Sequence, residues 1–256
     1  MAKRHVIGTC RVFGWYGQLT FEHVPPQCAF NSSPARTYTL DQWMLFERGE
    51  QARWEHDQRG SGYFALCDTC NNKRGGEWYV RESKEWAYLG ADVVDDIREH
   101  PQREDIEAVN LNVSRCYPVR FVKQMVLMLL ATNTAEFAAD NEPLRRFVVE
   151  RDALGLPDRY RLFLGIFDEP VARHAGLYFP MHVDETEIIG FAATDILYPP
   201  FSYTLTIDEP TSSDRGGEIT HLASLGYDEQ EDVTLRLPYN TPLLPSDVGS
   251  PDRRAV

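Results

Sequence analysis

Leu19-Thr20-Phe21-Glu22-His23-Val24-Pro25-Pro26 and, further along, Cys67-Asp68-Thr69-Cys70-Asn71-Asn72-Lys73-Arg74-Gly75 are the two stretches on which the reading of this chain turns. An acid-histidine doublet running into Val-Pro offers a carboxylate and a general base side by side. A Cys-x-x-Cys step followed directly by Asn-Asn offers thiolates and amide oxygens in one compact unit. Alone, a Glu-His pair is a surface charge beside a core histidine, and a lone Cys-x-x-Cys is half of a structural knuckle. Their order, their spacing and the Asn that follows Cys70 give the combination its meaning.

Working outward, residues 8 to 22 are rich in glycine and aromatics, which predicts a β-hairpin before His23. Trp43, Met44, Leu45, Phe46 and Trp54 among charges suggest a short amphipathic helix within residues 40 to 56, closed by a turn at Gln58-Arg59-Gly60-Ser61-Gly62. Tyr63 to Leu66 reads as a strand leading into the knuckle, and Glu77 to Leu89 as a helix. A boundary falls near residues 93 to 106, where the chain is charge-dense and broken by Pro101. Beyond it, Val119 to Thr132 predicts a helix that is apolar on most faces, too short to span a bilayer and suited to a core. A second helix starts from Asn141 as N-cap with Pro143 in its first turn and ends near Gly155. From Arg159 the pattern turns to strands: Tyr160 to Phe167, Gly176 to Val183, Glu187 to Ala192, Phe201 to Ile207 and Val233 to Leu237. The expected class is α+β, with residues 1–95 as one module and residues 96–256 as an acidic α+β domain built on an antiparallel sheet under two helices. The tail from Leu244 is expected to be loosely ordered.

The 256 residues, 43% hydrophobic and 12% aromatic, suffice for one large core or two small ones. There is no apolar run of membrane-spanning length and no apolar stretch behind Met1, which points to a cytoplasmic protein with no membrane partner. Five cysteines, an odd number with two in a Cys-x-x-Cys step, suit metal or free-thiol roles better than a disulfide framework. The formal charge of −13 argues against a nucleic-acid binder, but residues 1 to 86 carry a net +1 and the acidity lies beyond them. Lys73, Arg74, Arg81 and Lys84 are candidate phosphate contacts in that part, or an ordinary solvated face.

The doublet and the knuckle together resemble the HNH endonuclease family over roughly the first ninety residues. The resemblance implies a ββα-metal module and hydrolysis of phosphodiester bonds in DNA with one divalent cation, Mg²⁺ or another. It matches His23 to the general base, Glu22 to the metal ligand beside it and Asn71 to the ligand from the helix after the knuckle, with Asn72 a spare oxygen donor. Many proteins of this kind also bind structural zinc through two Cys-x-x-Cys knuckles. Here the first is incomplete, because Cys10-Arg11-Val12-Phe13 carries phenylalanine at the second thiolate. Cys10, Cys67 and Cys70 remain, to bind Zn²⁺ with His5, Cys28 or water as fourth ligand, or to pack around Phe13 without it. Cys28 and Cys116 also read as small buried hydrophobes.

The asparagine that orients the histidine in such sites has no evident counterpart before the second knuckle, which leaves Asn31 or a backbone carbonyl for that role. His56 and Asp57 lie between the halves and could approach the metal. His100, His174, His182 and His221 are scattered and form no metal motif. The damaged knuckle and the net acidity also support a rival reading, a catalytically inactive HNH scaffold that engages a protein partner or its own copy through the acidic domain. A third is an effector that cuts only with a partner.

Overall fold

The computed structural model describes residues 5–38, 42, 45, 48–100, 106–169, 172–179, 181–183, 188–209 and 216–239. The chain is an α+β protein. Its first sheet begins with the expected hairpin: β1 (Val6–Thr9) pairs antiparallel with β2 (Tyr16–His23), Val6 opposite Leu19 and Thr9 opposite Tyr16. Gly14 turns the chain at a φ of 78°, in the left-handed region that glycine tolerates. A short ribbon follows, β3 (Ala35–Thr37) against β4 (Glu55–Asp57). The helix expected within residues 40–56 is seen only at Gln42 and Leu45. Residues 39–41, 43–44 and 46–47 lie outside the described residues, and the end of the span is β4 instead. Then β5 (Gly62–Leu66) adds to the free edge of β2, with a register shift between Thr20 and Phe21 and with Glu22 opposite Tyr63 and His23 opposite Gly62.

The chain leaves β5 through Cys67 into a continuous helix. Thr69–Tyr79 is wound as a wide π-helix, in which the Val80 N–H reaches back to the Gly75 carbonyl, and α1 (Val80–Glu99) continues it. Trp86, Gly90, Val94 and Ile97 fall on one face of α1 and are buried. Trp86 stacks on Phe121 with ring centroids 4.0 Å apart. The charge-dense run from Val93 is the last turns of α1; residues 101–105 lie outside the described residues.

The second part centres on α2 (Pro118–Thr132), which is buried on nearly every face. It packs against α1, the π-helical stretch, β5 and the strands that follow, so one hydrophobic cluster runs from Cys10, Val12 and Leu66 through Met125 and Leu127 to Leu237. An all-round apolar helix needs such a cover. A short helix that the sequence reading lacks, α3 (Ala135–Asp140), is capped by Thr134 Oγ1, which accepts from the Phe137 N–H at 3.2 Å. Asn141 does not cap α4 (Glu142–Val149) with its side chain. Its amide donates to the Phe137 carbonyl at 2.8 Å, and its oxygen accepts from Tyr160 at 3.0 Å. Helix α4 stops at Val149, short of Gly155, where buried Lys123 Nζ donates to the carbonyls of Phe147 and Glu150.

The antiparallel sheet has β7 (Tyr160–Ile166), β8 (Arg173–Tyr178), β11 (Ala192–Tyr198) and β12 (Phe201–Ile207) in the order β7-β12-β11-β8. The two strands expected at residues 176–183 and 187–192 are each divided, giving the ribbon β9 (Met181–Val183) and β10 (Ile188–Gly190). The last expected strand, β13 (Glu231–Pro238), pairs with β6 (Ala108–Cys116) rather than joining that sheet. The tail from residue 240 onward lies outside the described residues.

Candidate metal centre

Cys10 ends β1, and Cys67 and Cys70 bracket the turn that opens the long helix. The order β2, β5, helix therefore brings the first knuckle remnant and the intact one together. The three sulfurs lie within 4.8 Å of one another and all three residues are buried. They are the one group of three His, Cys, Asp or Glu donors so gathered among the described residues. Both turns fold tightly: the backbone N–H groups of Phe13 and Cys67 donate to Cys10 Sγ at 3.5 and 3.4 Å, and those of Cys70 and Asn71 to the Cys67 carbonyl at 3.0 and 2.9 Å. A hydrogen bond from the Cys70 thiol, against the opposing effect of burial, pulls the Cys10 thiol down to about 5; the same bond pushes Cys70 up. Three close, buried cysteine sulfurs form a donor set that could hold a metal ion.

Neither protein candidate for a fourth ligand joins them. His5 Nδ1 faces Gln18 Nε2 at 3.3 Å, and Cys28 Sγ rests against the Val80 carbonyl at 3.8 Å. Position 13 carries a ring, and the Arg74 guanidinium lies 4.5 Å above it. Cys116 is the small buried group expected of it, its thiol pushed up to about 11 by burial.

The doublet sits at the end of β2, beside this centre. Asn71 joins the two, since its amide donates to the Phe21 carbonyl at 2.8 Å and to Thr20 Oγ1 at 3.0 Å, which leaves its oxygen uncommitted. Glu22 is 5% exposed and has no hydrogen-bond partner among the described residues, and burial pushes its carboxyl up to about 8. His23 is half-buried. Desolvation lowers its pKa, an effect that the nearby Arg59 backbone partly offsets, so the ring is neutral at neutral pH. Adjacent residues of a paired strand point to opposite faces, which sets Glu22 and His23 back to back; Phe21 and His23 share a face, their rings 5.0 Å apart.

Neither candidate for orienting the histidine is hydrogen-bonded to its ring among the described residues: the Arg59 backbone lies near it, and Asn31 clamps the loop that carries Arg59. The buried Asn31 amide donates to the carbonyls of Pro25 and Ser61 at 2.7 and 2.8 Å, and its oxygen accepts from the Ser61 N–H at 2.8 Å. Gly60 is required beside it, at a φ of 95°, because a Cβ there would stand 2.2 Å from the Asn31 carbonyl oxygen. The Asn72 amide nitrogen donates to Asp68 Oδ1 at 2.7 Å, and His56 is exposed near Trp54.

One histidine taken as scattered does reach this region: His174 Nδ1 on β8 meets the Tyr63 hydroxyl on β5 at 3.2 Å. No spacing in the sequence signals it, because the contact is made by the packing of two sheets.

Together these features define an α+β protein with a buried three-cysteine centre beside a clamped acid-histidine strand end. No family model, no curated protein and no solved structure matches the chain. No helix among the described residues is long and apolar enough to cross a membrane.

Proposed function

We propose that the chain is a metal-dependent endonuclease of the HNH type that hydrolyses phosphodiester bonds in DNA, with His23 as general base. The observation that carries this reading is the half-buried, neutral His23 at the end of β2, beside the Arg59 backbone and on the strand that Asn71 ties to the head of the knuckle helix. A histidine in that state takes a proton from water near neutral pH. On the resemblance, Glu22 and the Asn71 oxygen, uncommitted among the described residues, would hold a hard divalent cation such as Mg²⁺; Glu22 is buried on the strand face opposite His23 and would have to turn toward it to share one phosphate. When bound, such a cation polarises the scissile phosphate and steadies the leaving oxygen. Cys10, Cys67 and Cys70 would hold Zn²⁺ as a staple between hairpin and helix, with water completing four ligands.

A second reading, an inactive scaffold that docks a protein partner through its acidic C-terminal part, draws on Glu22 itself, whose carboxyl near 8 stays protonated at neutral pH while no cation is bound. The experiment is to incubate the protein and His23→Ala with supercoiled plasmid and Mg²⁺ or Mn²⁺, with an EDTA control, and to measure zinc on the same preparations. Metal-dependent nicking that disappears in a folded His23→Ala protein supports the nuclease. Equal nicking by both proteins removes His23 as base, and no nicking by either favours the docking scaffold.

A further inference from the structure

We propose that the exposed ring pair Phe30 and Tyr88, flanked by Lys84, is a platform on which one unstacked base of a nucleic-acid strand rests while that strand is presented to His23. The inference deepens the nuclease reading and rests on it. Phe30 closes the short 3₁₀ turn Gln27–Ala29 at a φ of 69° and ψ of 2°. This left-handed conformation is unfavourable for a bulky side chain and is retained where surrounding structure enforces it. Here the enforcement is plain: Asn31, the next residue, is clamped to Pro25 and Ser61, and the Phe30 carbonyl accepts from the Tyr198 hydroxyl at 3.2 Å. Yet the ring so held is not buried. Phe30 is 39% exposed and leans on Tyr88, itself 51% exposed, with ring centroids 5.0 Å apart at 45°. Two partly exposed rings set at an angle present apolar surface to a third flat group, and every nucleic-acid base has a face to offer.

The charges beside the rings suit a phosphate chain. Lys84 Nζ stands 5.7 Å from the Tyr88 ring centre, one helical turn back on the same face of α1, and makes no ion pair among the described residues. Arg81, one position further along that face, is already held by Glu85 at 3.1 Å, and Asp92 beyond Tyr88 bounds the patch with negative charge. Arg59, exposed and also without an ion pair among the described residues, has a carbonyl that accepts from Gln27 Nε2 at 3.3 Å, which ties its loop to the turn leading into Phe30. The same turn is tied to the end of the His23 strand, because Asn31, next to Phe30, donates to the carbonyl of Pro25, two residues past His23, at 2.7 Å. Scattered exposed apolar residues need no explanation, but a strained aromatic paired with a second ring and an unpaired lysine, on the segment that leaves the proposed base, is a defined recognition surface.

The test uses the cleavage-deficient His23→Ala protein and a fluorescein-labelled oligo(dT) of about ten nucleotides, followed by anisotropy against salt. Adding Tyr88→Ala should weaken binding about tenfold with little change in salt slope, whereas Tyr88→Phe should bind as the parent does. Adding Lys84→Gln should instead lower the salt slope by about 0.7. If Tyr88→Ala binds as tightly as its parent while wild-type protein still nicks plasmid, the platform is overturned and the nuclease stands. If the parent does not bind and the wild type does not nick, both readings fall together.

Discussion

The Phe13 backbone N–H donates to Cys10 Sγ at 3.5 Å, so the turn from Cys10 folds position 13 back toward the sulfur even though no thiol stands there. The geometry of a Cys-x-x-Cys knuckle survives the loss of its second ligand. Phe13→Cys should therefore restore a four-thiolate centre. Zinc should rise to about one ion per chain, with affinity at least about tenfold tighter in a chelator competition. Unchanged affinity would mean that the position 13 side chain points away from the three sulfurs.

Asn31 is the clamp on which the His23 loop depends, and its buried side chain bonds Pro25 and Ser61. Asn31→Ala leaves the Ser61 N–H and the Pro25 carbonyl without partners and should cost about 2–3 kcal/mol in denaturant unfolding. Gly60→Ala should be comparably damaging, because its Cβ would meet the Asn31 carbonyl oxygen at 2.2 Å in a left-handed conformation. A loss below about 0.5 kcal/mol for Asn31→Ala would show that the loop is held by other contacts.

His174 makes the junction of the two sheets sensitive to acid. Burial lowers its pKa to about 4, and its Nε2 is buried without a partner. Above the unfolded value of about 6.5 the ring is neutral in both states and contributes nothing to pH dependence. As pH falls from there toward 4, only the unfolded chain takes up the proton, so the folded state loses up to about 1.4 kcal/mol per unit. His174→Gln should flatten the stability profile between about pH 6.5 and 4 while leaving it similar above pH 7. An unchanged slope would assign the acid sensitivity to other groups.

The sequence reveals those parts of the fold that depend on local pattern. The hairpin before His23, the buried helix α2 and the strands β7 and β12 announce themselves by glycine placement and by apolar runs of the right length. What stays hidden is long-range. Strand β6 is recognisable only as the partner of β13, more than a hundred residues away, and the Asn141 side chain is taken by Tyr160 rather than by its own helix. The same holds at the site. Cys10, Cys67 and Cys70 share a motif and are found together, whereas Arg59 and His174 reach the region through a backbone contact and a sheet-to-sheet contact that leave no mark in the sequence.

Asn71 separates the structural from the catalytic half of the proposal. Its Nδ2 ties the knuckle helix to β2 through Phe21 and Thr20, while its oxygen is free for a cation. Asn71→Asp keeps an oxygen but sets a carboxylate against the Phe21 carbonyl, which opposes ionisation and raises the new acid's pKa. Its contribution is then fully present at low pH, where the protonated group can still donate, and is lost as pH rises through the raised pKa. The unfolding midpoint of Asn71→Asp should approach that of wild type near pH 4 and fall below it by about 1–2 kcal/mol at neutral pH. Asn71→Ala should be destabilised by a similar amount at both pH values and should lose plasmid nicking altogether. An Asn71→Asp protein whose stability tracks wild type at every pH would show that the Asn71 amide makes no stabilising hydrogen bond to the Phe21 carbonyl, and would remove the tie that orients its oxygen as a cation ligand.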